Sequence, residues 1–207
     1  MAEDDPYRRI ASIYDRLIEP LEAGVRRVAL DVLPPQPEWQ VLDVGCGTGT
    51  GLAGYQAAGC TVAGVDVSPA MLAQARARLG DGVELNLTEG EVLPFPAGHF
   101  DLVTASMVLH EVAADDRSSL LTEMARCTKP GGRILITDFR IGSLRGWRGP
   151  ILRVVNAVIE RFSGHYAGYR SFRSGGGIPA LAERAGLRVE REKITAGGNI
   201  GIYVLIS

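Results

Sequence analysis

Apolar residues along this chain fall in short blocks, and the spacing within the blocks alternates between two kinds. "QVLDV" from Gln40, "TVAGVDV" from Thr61, "VELNLTE" from Val83, "FDLVTASMVL" from Phe100 and "GGRILITDF" from Gly131 are brief, nearly continuous apolar runs rich in β-branched residues. Such runs read as strands buried on both faces. Between them lie segments of helical spacing. "GTGLAGYQAAG" ends at Gly59. "SPAMLAQARARLG" has Ser68 as N-cap, Pro69 in the first turn and Gly80 as its stop. "DDRSSLLTEMARCT" follows the fourth strand. Ahead of all this, Tyr7–Leu33 reads as two helices hinged near Pro20, and "PPQP" breaks the chain before the first strand.

Strands alternating with helices imply right-handed crossovers and a parallel sheet covered on both faces. The end of the chain departs from that rhythm. "GLRVEREKI" and "IGIYVLIS" are both strands, and "TAGGN" between them is too short for a crossover helix. They form an antiparallel hairpin. The expected fold class is therefore three-layer α/β, with a seven-stranded sheet that is mostly parallel and closes on an antiparallel strand. The expected organisation is an N-terminal helical cap over 1–39 and an α/β domain over 40–207, with a lid insertion at about 141–175.

Composition narrows the partners. The chain has 207 residues, 46% of them hydrophobic, and a net charge of −2. That balance does not describe a nucleic-acid binder. Three cysteines, Cys46, Cys60 and Cys127, form no C-x-x-C pair, and their odd number argues against a disulfide framework. The N-terminus lacks the basic start and apolar run of a signal peptide, and no apolar stretch reaches the length of a membrane span. The expected setting is the cytoplasm.

Val41–Gly54, "VLDVGCGTGTGLAG", contains two glycine patterns. "GTGLAG" spells the G-x-G-x-x-G fingerprint of dinucleotide sites. In an open α/β sheet, however, the ligand lies beyond the carboxyl end of the first strand. The working glycines must then follow Val44 directly, which selects Gly45 and Gly47 and places Gly49–Gly54 in the helix. "DVGCGTG" closely resembles the first motif of class I S-adenosylmethionine-dependent methyltransferases. The likeness continues through Asp66 in "VAGVDVSPAML", Glu89 in "TEGEVLPFPAGHFD", the turn "RCTKPGGRILITDF" and the final hairpin.

The resemblance implies a Rossmann-like methyltransferase fold and S-adenosylmethionine as cofactor, left as S-adenosylhomocysteine, with no metal. It implies cofactor contacts at Tyr14, Asp43, Gly45, Cys46, Gly47, Asp66, Val67, Met71, Glu89, Gly90 and Ser106. Asp66 accepts the ribose hydroxyls, and Glu89 stands where the family usually has Asp. Rival readings are a cofactor-binding interaction protein without catalysis and an NAD-dependent oxidoreductase. A nucleic-acid enzyme is disfavoured, because "SMVL" stands where an "NPPY"-type tetrapeptide would follow strand four.

A sulfonium methyl is already activated, so such an enzyme mainly positions its reactants and excludes water, and a base is optional. Candidate catalytic groups are His110, Asp138 and Tyr14. Each also has a framework reading: loop packing, a strand-end cap and core packing. Between Arg140 and Arg173 stand seven arginines and one acid, Glu160. With the largely apolar "PILRVVNAVIERFSG" inside it, the segment reads as a cap helix, or as an apolar pocket with a cationic rim. Arg140, His165, Tyr166 and Tyr169 are the candidate acceptor contacts. The expected acceptor is a small, lipophilic molecule: a quinone, a lipid head group or a natural product. Peripheral membrane contact through 147–162 is a further expectation, as is a monomeric or homodimeric state. The segment "HYAGYRSF…GG" looks like that of quinone and phospholipid methyltransferases.

Overall fold

The computed structural model describes residues 19–88, 92–147, 149–154 and 166–207. Helix α1 (Glu19–Val32) precedes strand β1 (Gln40–Val44), helix α2 (Thr50–Ala57), β2 (Thr61–Asp66), α3 (Pro69–Leu79) and β3 (Glu84–Leu87). Then come β4 (Phe100–Ser106), α4 (Arg117–Cys127), β5 (Thr128–Phe139), α5 (Tyr166–Ser174), α6 (Gly177–Arg184), β6 (Arg188–Thr195) and β7 (Ile200–Ile206). Pro20 falls in the first turn of α1, where a missing N–H costs nothing; it opens this helix.

The seven strands form one sheet in the order β3-β2-β1-β4-β5-β7-β6. The pairs β1–β2, β1–β4, β2–β3 and β4–β5 are parallel, and β7 runs antiparallel between β5 and β6. Successive strand side chains point to opposite faces, and both faces are buried. Val41 of β1 and Leu135 of β5 pack with Ala29, Leu52, Leu72 and Ala75 from α1, α2 and α3. Their neighbours Leu42, Ile134 and Ile136 pack with Leu121, Met124, Phe172 and Leu181 from α4, α5 and α6. This double burial is why the strands read as continuous apolar blocks.

Two strand boundaries differ from expectation. β4 ends at Ser106 rather than running on to Leu109. Met107 adopts a φ of 58° and its amide donates to Thr137 O of β5 at 2.8 Å, which turns the chain out of the strand. β5 begins at Thr128, three residues before Gly131, with a register shift against β4 between Phe100 and Leu102.

The strand order reverses between β1 and β4. Their carboxyl ends define the crevice where ligands of such sheets bind. The β6–β7 turn, residues 196–199, lies at the same edge, because Phe139 at the end of β5 pairs with Ile200 at the start of β7.

Candidate functional site

The loop after β1 is shaped by its glycines. Gly45 has a φ of 72°, and a Cβ there would stand 2.4 Å from Val108 Cγ2 in the loop after β4. Only glycine lets the two crevice loops close on each other. The amides of Gly45 and Cys46 both donate to Val65 O at 2.9 Å, which locks the loop to β2. Gly47, with a φ of 52°, has open space above its Cα. Its amide donates to Asp66 Oδ2 at 2.8 Å, and Ser68 N donates to Oδ1 at 2.9 Å. Asp66 therefore braces the glycine loop against the β2–α3 turn, and a carboxylate retains lone pairs for further donors. Burial pushes its carboxyl above the usual range, while the Ser68 and Gly47 amides draw it back. Ser68 caps α3 by accepting from Met71 N at 3.2 Å, so the cap and the carboxylate are separate devices.

Gly49 is the N-cap of α2 in a left-handed conformation, and Gly51 and Gly54 lie inside the helix. The dinucleotide fingerprint thus serves packing: a Cβ at Gly49 would meet Ala75 at 3.1 Å, and one at Gly51 would meet Asp43 Oδ2 at 3.1 Å. Asp43 is buried beneath the loop. Burial pushes its carboxyl up to about 8, with Arg26 opposing the shift and Asp66 adding to it. Cys46 is buried too, and its thiol is raised by burial. Val67 is exposed beside the crevice, Met71 is buried beneath it, and Ser106 is exposed at the tip of β4.

A second cluster lies past β4. His110 is 1% exposed and Asp138, at the end of β5, 0%. His110 Nδ1 lies 2.8 Å from Asp138 Oδ1, and the His110 amide donates to Oδ2 at 3.2 Å. The Phe139 amide also donates to Oδ1, at 2.7 Å. Facing a carboxylate, Nδ1 acts as donor, which makes Nε2 the basic nitrogen; Nε2 stands 3.9 Å from Glu111 Oε1. The ring packs edge-on to Phe139 at 4.6 Å and Phe172 at 6.4 Å.

Arg117, at the start of α4, holds this loop in place. Its Nε donates to Leu109 O and Val112 O, both at 2.9 Å. Its Nη2 donates to His110 O at 3.3 Å, Gly168 O at 2.9 Å and Ser171 Oγ at 3.0 Å. Gly168 in α5 lets the helix come this close, since a Cβ there would stand 2.7 Å from His110 O.

The segment after β5 is gripped by the β6–β7 turn. Arg140 N donates to Asn199 O at 2.7 Å and Arg145 N to Gly197 O at 2.8 Å. Asn199 Nδ2 donates to Gly149 O at 2.9 Å, and Arg153 Nε donates to Asn199 Oδ1 at 3.3 Å. Residues 149–154 are helical.

The structure brings Asp43, Gly45, Cys46, Gly47 and Asp66 together around one crevice, with Ser106 at its far wall and His110 and Asp138 paired behind it. Tyr14, Glu89, Gly90 and His165 lie outside the described residues. Arg140 turns away to Glu192 of β6, its Nε 3.1 Å from Oε1, and so forms a surface ion pair rather than an open acceptor contact. Tyr169 packs its ring 4.8 Å from Phe139 in the core, which makes it framework, not pocket lining. Tyr166 is half-buried beside it, with ring centroids 6.3 Å apart. Sequence reading missed Arg117 and Asn199. A cation in the first turn of a helix, against the helix dipole, is the signal that marks Arg117; Asn199 looks like an ordinary turn residue.

The profile of the methyltransferase-domain family matches residues 42–136. The demethylmenaquinone methyltransferase of Beutenbergia cavernae is 30% identical over 213 aligned positions, covering 97% of this chain and 87% of that protein. The nocamycin O-methyltransferase of Saccharothrix syringae is 37% identical over 162 positions, covering 74% of this chain and 57% of that protein. In three dimensions the chain is similar to a SAM-dependent methyltransferase from Aquifex aeolicus, with a TM-score of 0.69 and 22% identity over 95% of this chain and 98% of that one.

Proposed function

The chain belongs to the S-adenosylmethionine-dependent methyltransferases of the small-molecule type, and on that premise we propose that it methylates a small lipophilic acceptor with an acidic proton. The acceptor class follows the relatives named for demethylmenaquinone and nocamycin. The observation that carries the site assignment is the Asp66 carboxylate, bound to the Gly47 amide beneath open space.

When bound, the cofactor supplies a methyl already activated on a sulfonium, which leaves S-adenosylhomocysteine as a neutral thioether and asks for no metal. Asp66 would accept hydrogen bonds from the hydroxyls of the ligand's sugar. Gly45 and Gly47 admit its chain close to the backbone. The chain's remaining work is orientation, exclusion of water and removal of a proton. His110 receives that proton at Nε2, while Asp138 fixes the ring and favours the charged form that results.

Titration calorimetry and steady-state kinetics test the two assignments. Asp66→Ala is expected to lower S-adenosylhomocysteine affinity by about 2–4 kcal/mol, the loss of charge-assisted bonds in a buried site; unchanged affinity removes Asp66 from the cofactor site. His110→Gln, with cofactor affinity retained, is expected to cut kcat on a demethylated quinol by about 10²-fold or more. An unchanged kcat assigns His110 to the framework.

A further inference from the structure

A methyl transferred to an acceptor that bears a proton releases that proton. On the reading above, on which this inference rests, the proton arrives at His110 Nε2. The ring is badly placed to hand it to bulk water. His110 is 1% exposed, and Phe139 and Phe172 pack edge-on to it. Nδ1 is committed to the buried Asp138 carboxylate at 2.8 Å. A new turnover waits until Nε2 is neutral again, so the proton needs a path outward.

The next residue in the loop offers one. Glu111 Oε1 stands 3.9 Å from Nε2, and the Glu111 side chain is 34% exposed against 1% for the imidazole. The ring thus lies between two carboxylates, Asp138 from the end of β5 on the buried side and Glu111 on the solvated side. A gap of 3.9 Å is closed by a small side-chain rotation or by one bridging water. Glu111 also lies within electrostatic reach of the cofactor crevice. Burial raises the Asp66 carboxyl first, and the charge of Glu111 raises it further. The pair is held in register by its backbone. The Glu111 amide donates to Val108 O at 2.9 Å, and the Arg117 guanidinium of α4 clasps the carbonyls of Leu109, His110 and Val112 on either side. Ordinary histidine and glutamate side chains differ by about 2 pK units. A proton therefore rests on the imidazole and only passes over the carboxylate, which suits a relay to solvent.

We propose that Glu111 is the proton outlet of the site: the Nε2–H bond breaks with its electron pair left on nitrogen, the proton passes to Oε1 directly or through one water, and it leaves from there to solvent. Nδ1 keeps its own proton on Asp138 throughout, so the ring returns to the tautomer that accepts the next proton.

The test reads the ring proton itself, without any acceptor. The full chain has three histidines; in isotope-labelled protein, the ring signals lost in His110→Gln are those of His110. Exchange of its Nε2 proton with water is measured at mildly acidic pH, where an imidazole carries it. Glu111→Gln is expected to slow that exchange by about tenfold or more. Glu111→Asp, which keeps a carboxylate within reach of a bridging water, is expected to stay near the wild-type rate. With a demethylated quinol as acceptor, Glu111→Gln is expected to lower kcat about tenfold at unchanged KM. Exchange as fast in Glu111→Gln as in the wild type overturns the proposal. Equal slowing in Glu111→Gln and Glu111→Asp overturns it too, because the effect is then one of shape. The two readings fail separately. If His110→Gln cuts kcat but exchange is unaltered in Glu111→Gln, the base stands and the outlet falls. If kcat is indifferent to His110→Gln while exchange slows in Glu111→Gln, the base falls and the outlet from the ring is upheld.

Discussion

Asp43 shows how a single buried carboxyl sets the response of the fold to pH. In the unfolded chain this group gives up its proton near 3.8, whereas beneath the glycine loop it holds on to about 8. Between those limits the native state carries the extra proton. Its contribution to stability is complete below the lower value and is lost as pH rises through the upper one. A shift of that size corresponds to about 6 kcal/mol. Asp43→Asn keeps the shape and cannot ionise, so the variant is expected to gain on the wild type as pH climbs from acid to about 8. Denaturant titrations at both ends check this; parallel curves would place the pH dependence elsewhere. Residue-scale reading worked where chemistry is local. Ser68 as the cap of α3 follows from its place next to strand and helix ends. It failed for Arg140 and Tyr169, because their partners, Glu192 and Phe139, come from elements brought alongside only by the fold.

At the scale of elements, the loop after β4 and helix α5 are one unit joined through Arg117. Three backbone carbonyls of the loop, one of α5 and the Ser171 hydroxyl all depend on one guanidinium, which also stacks over Phe172 at 5.4 Å. Arg117→Met retains the apolar stem but leaves buried carbonyls without a donor. It is expected to cost about 3 kcal/mol of stability and to lower kcat, since His110 rides on that loop, while leaving S-adenosylhomocysteine affinity near wild type. Thermal unfolding, calorimetry and kinetics read the three effects. Wild-type stability in the variant would show that water replaces the guanidinium. "DDRSSLL" concealed this role: in one dimension it is a polar helix start, and the carbonyls it serves lie up to 51 residues away. The extent of β4 was misjudged for a related reason. The apolar residues of "SMVL" continue the burial of the strand, but the backbone turns at Met107, and Leu109 is buried from the loop.

For the molecule as a whole, topology was legible because the central strands declare their double burial and most crossovers carry a helix. The short "TAGGN" sufficed to reverse the last pair. What the alternation could not convey is the second use of that turn. Phe139 pairs with Ile200 across the segment after β5, so the sheet closes without any help from that segment's own residues. The turn then grips the segment chiefly by its main chain, at the Arg140 and Arg145 amides and the Gly149 carbonyl. That attachment depends on small residues at its contacts, since a Cβ at Gly149 would stand 2.5 Å from Gly197 O and one at Gly198 2.8 Å from Ser143 O. Side chains of this segment that point away from the turn can therefore be rewritten by mutation while the anchorage stays as it is, but the glycines at the contacts cannot.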